Sequence, residues 1–212
     1  MDLWQLINDF FIKLNKLDEL IRWGGYTILA FIVFAETGLL VGFFLPGDSL
    51  LVTAGLFAGK GDLNILLLFV LLSLMAIVGD TTSYWFGRTT GPKIFSREKS
   101  FLFAKDHLHA ARAFYDKYGA KTIVLARFMP IVRTFAPVVA GVAQMSYPTF
   151  VFYNIFGGVL WVGSMLSIGY FLGRSIPNIE EKIHIVIVVI IFLSILPGII
   201  EFLRHRSRPP LK

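Results

Sequence analysis

Residues 36–50 read Glu36-Thr-Gly-Leu-Leu-Val-Gly-Phe-Phe-Leu-Pro46-Gly47-Asp48-Ser-Leu50: a charge, an apolar run, a breaker and a second charge. The wider stretch from Tyr26 to Ala58 is otherwise apolar. One straight crossing of a bilayer takes about 20 helical residues, and Pro46-Gly47 divides this material into two shorter arms around a turn. The pattern predicts a re-entrant hairpin. It recurs over 122–145, where Pro130 and Pro137 are the expected breakers.

Around these segments the composition is that of an integral membrane protein. Of 212 residues, 56% are hydrophobic and 16% charged, and the mean hydropathy is +0.70; soluble domains are about a quarter charged. Residues 63–87 read as an uninterrupted spanning helix with Asp80 near its end, 149–173 as a second, and 183–203 as a third. Residues 3–21 place apolar side chains at three- and four-residue steps, an amphipathic helix suited to the interface. A second such stretch surrounds Leu108, Ala111, Phe114, Tyr115 and Tyr118. The fold class expected is therefore all-α and polytopic.

Charge gives an orientation. The 88–121 connection holds eight Lys/Arg against three acids, and the tail adds Arg204, Arg206, Arg208 and Lys212. The positive-inside rule places that connection and the C-terminus in the cytoplasm. For the crossings to close, 122–148 must leave by the side it entered. The side of the N-terminus stays open. The net charge of +6 belongs with these loops and with anionic lipid headgroups, not with nucleic acid.

Shifting the sequence by 86 positions superimposes Ala54-Gly55 on Ala140-Gly141, and Tyr84, Gly87 and Arg88 on Tyr170, Gly173 and Arg174. Each unit reads as amphipathic helix, broken hairpin and spanning helix, over about 1–88 and about 100–174. The helix 183–203 and the basic tail 204–212 complete a single membrane domain. With one full crossing per unit, the second copy must be inverted, and inverted repeats with broken helices are a transporter architecture.

Glu36, Asp48, Asp80, Arg127 and Arg133 lie in or beside apolar segments. A charge at the bilayer centre costs roughly 2.5–3.5 kcal/mol on insertion scales, so each must pair or reach water. Six residues of straight helix turn through about 600°, which would point Arg127 and Arg133 apart; a break at Pro130 lets them converge. Two planar, permanently charged forks suit phosphate oxygens, and carboxylates nearby suit proton uptake and release. Plainer readings stand beside these. Arg127 snorkels to the interface; Glu36 and Asp48 only tie the hairpin tips to the arginines; Asp80 faces the interface near Arg88. Asn154, Trp161 and Tyr84 read as packing or interfacial anchors.

Other chemistries leave no trace. There is no Cys, and His107, His109, His184 and His205 lack metal-ligand spacing. Phosphate-cradling loops and serine elbows are missing. Neither an enzyme, a metal nor a cofactor is expected.

Glu36-Thr-Gly-Leu-Leu, followed by Phe44-Leu-Pro-Gly-Asp48-Ser-Leu-Leu, resembles the first signature of the DedA family, whose domain is also called the VTT or SNARE-associated domain. Lys117-Tyr-Gly-Ala-Lys-Thr, Ala126-Arg-Phe-Met-Pro-Ile-Val-Arg133-Thr-Phe-Ala-Pro and Ala140-Gly resemble the second. Gly79-Asp80, Tyr84 and Gly87-Arg88 are similar to the subgroup around the founding member, and the match runs from about 25 to 175. The resemblance implies a bacterial inner-membrane protein tied to envelope integrity, drug resistance and proton-motive-force homeostasis. It implies return of undecaprenyl phosphate, the peptidoglycan lipid carrier, across the membrane, with an essential acidic pair at Glu36 and Asp48 and essential arginines at Arg127 and Arg133. Eukaryotic relatives scramble phospholipids.

The expected function is thus a lipid-phosphate flippase using the proton gradient. An uncoupled phospholipid scramblase, a proton-coupled carrier of small ions or drugs and, least favoured because no nucleophile–base pair is evident, an intramembrane enzyme such as a lipid phosphatase are the alternatives. Expected partners are membrane lipids, polyprenyl phosphate, protons and, in a homo-oligomer, further copies of the chain.

Overall fold

The structure, a computed structural model, describes residues 25–39, 47–94, 115 and 117–176. The interfacial helix over 3–21, Pro46, most of the 88–121 connection, the helix over 183–203 and the tail lie outside the described residues. Within them all regular structure is helical: α1 (Gly25–Gly38), α2 (Gly47–Lys60), α3 (Ile65–Ile94), α4 (Thr122–Ala126), α5 (Pro130–Val142) and α6 (Tyr147–Ser175).

Two lengths recur. α3 and α6, of 30 and 29 residues, are long and apolar enough to cross a membrane. α2 and α5, of 14 and 13 residues, rise only about 20 Å, short of a hydrocarbon core of about 30 Å. Helix ends at such depth leave unpaired backbone groups, which oil does not tolerate. The structure meets this by encasing them. Every α2 residue from Gly47 to Ala58 is buried, and Ser83 on α3 donates to the terminal carbonyls of Thr37 and Gly38 on α1, at 3.0 Å each.

α2 lies along α6, and α5 along α3. Glycines let the backbones touch. A side-chain carbon on Gly55 or Gly59 of α2 would run into the carbonyls of Leu166 and Tyr170, and one on Gly169 or Gly173 of α6 into those of Val52 and Leu56. Gly87 on α3 and Gly141 on α5 meet carbonyls of the opposite helix in the same way. Lipid tails are as apolar as leucine, so helices in a bilayer associate by such close packing rather than by hydrophobic expulsion. The outer faces of α3 and α6 are correspondingly apolar, with Leu66 68% and Phe152 66% exposed.

Asn64 caps α3, its Oδ1 accepting from the N–H groups of Leu66 and Leu67 at 2.9 and 3.1 Å. Its own N–H donates to Tyr26 Oη at 2.7 Å, so α1 and α3 begin side by side. At the other end, Tyr84 on α3 donates to the Met145 carbonyl at 2.5 Å, just past α5.

Two sequence expectations change. Pro130 does open a new helix, after extended backbone at Met129 (φ −116°, ψ 106°). Pro137 is not a break; it lies inside α5. Its ring costs the helix one hydrogen bond, to the Arg133 carbonyl, but a break would strand several backbone groups in oil, so the helix continues. α3 also runs on to Ile94 instead of ending near 87, which puts Arg88 inside the helix and Asp80 at its middle.

Gly55→Leu and Gly141→Leu force side chains against carbonyls that cannot move aside. Each is expected to cost about 1–3 kcal/mol or more, read as a lowered unfolding temperature in detergent. Leu66→Ala, on the lipid face, should change stability by no more than about 0.5 kcal/mol.

Candidate functional site

Arg133 sits in the first turns of α5, its N–H bonded to Met129 at 2.9 Å. One guanidinium nitrogen donates to Glu36 near the end of α1; the other donates to Asp48 Oδ1 in the first turn of α2, at 2.6 Å. A single side chain thus joins both sides of the first break to the start of the second. All three residues are buried, at 8%, 2% and 9% exposure for Arg133, Glu36 and Asp48. Gly47 is part of this contact, because any side chain on it would occupy the space of the Glu36 carboxylate.

Arg127 follows α4 and pairs elsewhere. Its Nη2 donates to Asp80 on α3 and to Asn154 Oδ1 on α6. The Asn154 amide is held in turn, donating to the Ile77 carbonyl at 3.0 Å and to Thr81 Oγ1 at 3.3 Å. Arg127 is 3% exposed and does not snorkel. Asp80, also 3% exposed, does not face the interface near Arg88; as the middle residue of a longer α3 it is Arg127's counter-charge. Arg88 binds the Tyr84 hydroxyl and the Met145 carbonyl instead.

The guanidiniums meet around one ring. Arg133 lies 4.8 Å and Arg127 6.0 Å from the centre of Trp161, so they are no more than about 11 Å apart. Trp161 Nε1 donates to Asp48 Oδ1 at 2.8 Å. Asn154 and Trp161, read as anchors from the sequence, are therefore parts of the charged cluster. Their signal was available: they stand seven residues apart, two helical turns on one face, with Gly157 and Gly158 between. Those glycines make the slot for Arg127, whose Cδ would lie 3.3 Å from a side-chain carbon on Gly157 and whose Cζ would lie 3.6 Å from one on Gly158.

With every group ionised, three carboxylates face two guanidiniums, a buried charge of minus one. Glu36 Oε2 and the Nε–H groups of Arg127 and Arg133 are buried without a hydrogen-bond partner. Among the described residues no three or more His, Cys, Asp or Glu gather as metal ligands would. The cluster thus keeps two buried N–H donors and one carboxylate oxygen outside its hydrogen bonds.

Removing one member of a buried pair leaves the other uncompensated. Asp80→Leu is expected to destabilise the chain by about 3–5 kcal/mol. The double variant Asp80→Leu/Arg127→Met should regain most of that loss in the same unfolding measurement.

Comparison with known proteins gives the family. The VTT domain matches residues 45–171. The chain is 48% identical over 212 residues to Protein DedA of Escherichia coli (strain K12), covering 97% of this chain and 96% of that protein. It is 44% identical over 169 residues to an uncharacterized membrane protein of Mycobacterium leprae, covering 80% and 75% of the two chains. Identity to the Escherichia coli inner membrane protein YqjA is 37% over 151 residues, covering 71% and 68%. No solved structure matches. None of these names carries a catalytic activity. With a VTT domain over more than half its length and near full-length similarity to Protein DedA, the chain belongs to the DedA family of membrane proteins.

Proposed function

We propose that this protein translocates a lipid phosphate, of the undecaprenyl phosphate type, across the bacterial inner membrane and couples the movement to protons. The observation that carries the proposal is the bonding of Arg133 to two buried carboxylates where the two helix breaks meet. A phosphate monoester offers the same kind of acceptor oxygens with more charge and takes a guanidinium in a bidentate grip. The unpartnered Nε–H edges of Arg127 and Arg133 supply further donors.

Charge balance favours coupling. Displacing Glu36 and Asp48 from Arg133 would strand two carboxylates in a poor solvent for ions. If each takes up a proton while a phosphate dianion enters, the buried charge stays at minus one, empty or loaded. Loading then consumes protons and release returns them. The apolar tail needs no site of its own, since it stays in the bilayer.

An inverted repeat is part of this reading. Each short helix after a break packs on the spanning helix of the other half, α2 on α6 and α5 on α3. Arg88 and Arg174 each bind the tyrosine four residues earlier, Tyr84 and Tyr170. The bond between Tyr26 and Asn64 favours a first hairpin that returns to the face it entered. Two related halves meeting at one charged centre can expose it to either side in turn. In this reading the 88–121 connection and the C-terminus are cytoplasmic.

Transport in proteoliposomes tests the proposal. Arg133→Gln and Arg127→Gln are expected to lower polyprenyl-phosphate movement by at least about 100-fold while the protein still inserts. Phosphatidylethanolamine should move far more slowly, and an imposed pH gradient should change the rate for the wild type. Equal movement of both lipids, indifferent to the gradient, would establish an uncoupled scramblase instead. A companion variant, Glu36→Gln, is expected to retain lipid binding but to lose the response to the gradient, measured as the ratio of rates with and without it.

A further inference from the structure

The proposed exchange leaves a difficulty at Asp48. When phosphate takes Arg133, Asp48 loses its charged donor inside the protein; even with a proton taken up, the acceptor oxygen that faced Arg133 is left buried and in need of a donor. Glu36 sits at the amino end of α2, where the helix dipole favours negative charge. Asp48 has another resource: the indole N–H of Trp161, bonded at 2.8 Å and independent of either arginine.

Trp161 has the properties such a partner needs. It is uncharged, so its N–H does not draw the phosphate away from Arg133. It is fully buried and wedged in the cluster formed by Leu50, Leu51, Ala54 and Val162, so it stays in place while the ions rearrange. Its ring face lies under the Arg133 guanidinium at 4.8 Å, an interaction that strengthens out of water. Of the contacts described above, only those of Trp161 reach both ion-paired groups, Arg133 with Glu36 and Asp48 and Arg127 with Asp80 and Asn154.

Building on the lipid-phosphate reading, we propose that Trp161 is the positioning residue of the exchange: its N–H holds Asp48, and its ring holds the Arg133 guanidinium in plane, while Arg133 passes from carboxylate to phosphate. A tryptophan that only fills space would be indifferent to the loss of its N–H. One that holds Asp48 would not.

The test separates shape from hydrogen bonding. Substituting β-(3-benzothienyl)alanine at position 161 of the full chain keeps the ring's outline and replaces N–H by sulfur. In nanodiscs containing polyprenyl phosphate, this variant is expected to bind the lipid about 10-fold to 100-fold more weakly, with a much smaller change in unfolding temperature. Trp161→Phe, which leaves a cavity as well as removing the N–H, should lose binding and lower the unfolding temperature together. A second measurement leaves the native side chain in place. With Trp4, Trp23 and Trp85 changed to Phe, Trp161 is the sole tryptophan. Its emission should shift saturably as polyprenyl phosphate is added, and the shift should vanish in Arg133→Gln. Wild-type affinity in the benzothienyl variant, or constant emission through saturation, overturns the role of Trp161 and leaves the transport reading standing. A wild-type protein that neither binds nor moves the lipid overturns both.

Discussion

A guanidinium keeps its charge at any accessible pH, and inside a membrane protein that charge must be met. Arg133 is therefore the point from which the described structure is organised. Its two ends are met by Glu36 on α1 and Asp48 on α2, which brings the first break to the start of α5. Arg127 repeats the demand on the other side of Trp161 and is met from α3 and α6, by Asp80 and Asn154. Between them the arginines bind four of the six described helices, α1, α2, α3 and α6; Arg133 itself stands on α5, and α4 leads directly into Arg127.

That demand explains the backbone packing. Helices too short to cross a bilayer carry exposed amide and carbonyl groups at their ends, and within a membrane they persist only where other helices close over them. Closure requires near contact of backbones, hence Gly55 and Gly59 on α2 against Gly169 and Gly173 on α6. Neither feature is useful alone. Breaks without glycine seams would leave polar backbone in lipid, and seams without breaks would bring no charges together.

How much of this could be read from the residues follows the same physics. Charges in apolar runs and a Pro-Gly pair are local signals, and the cost of burying charge singles out Glu36, Asp48, Asp80, Arg127 and Arg133 in the sequence. Partner choice is not local. Asp80 met Arg127 because α3 continues past Gly87, an extension the polar residues after it obscured. Pro137 misled because proline's helix-breaking rule is calibrated in water, where freed carbonyls find new partners. Asn154 and Trp161 were passed over because each is unremarkable on its own; their meaning lies in the shared face and the glycine slot between them. The segments at both ends and most of the 88–121 connection lie outside the described residues, so the amphipathic readings there have no full structural counterpart to set against them.

As a structural tie alone the cluster would be a costly one. Two hairpins can be fastened by apolar packing at less cost, since well-packed hydrophobic replacements of buried ion pairs are often neutral or stabilising. A tie would also balance its charges. Here a third carboxylate is buried with two guanidiniums, and Glu36 keeps one oxygen without a partner. An excess of buried negative charge is destabilising in a fixed structure, but it is useful where protons enter and leave. With every group ionised the described cluster carries that imbalance, and the proposal of an exchanging site in place of a pin rests on it more than on the presence of ion pairs.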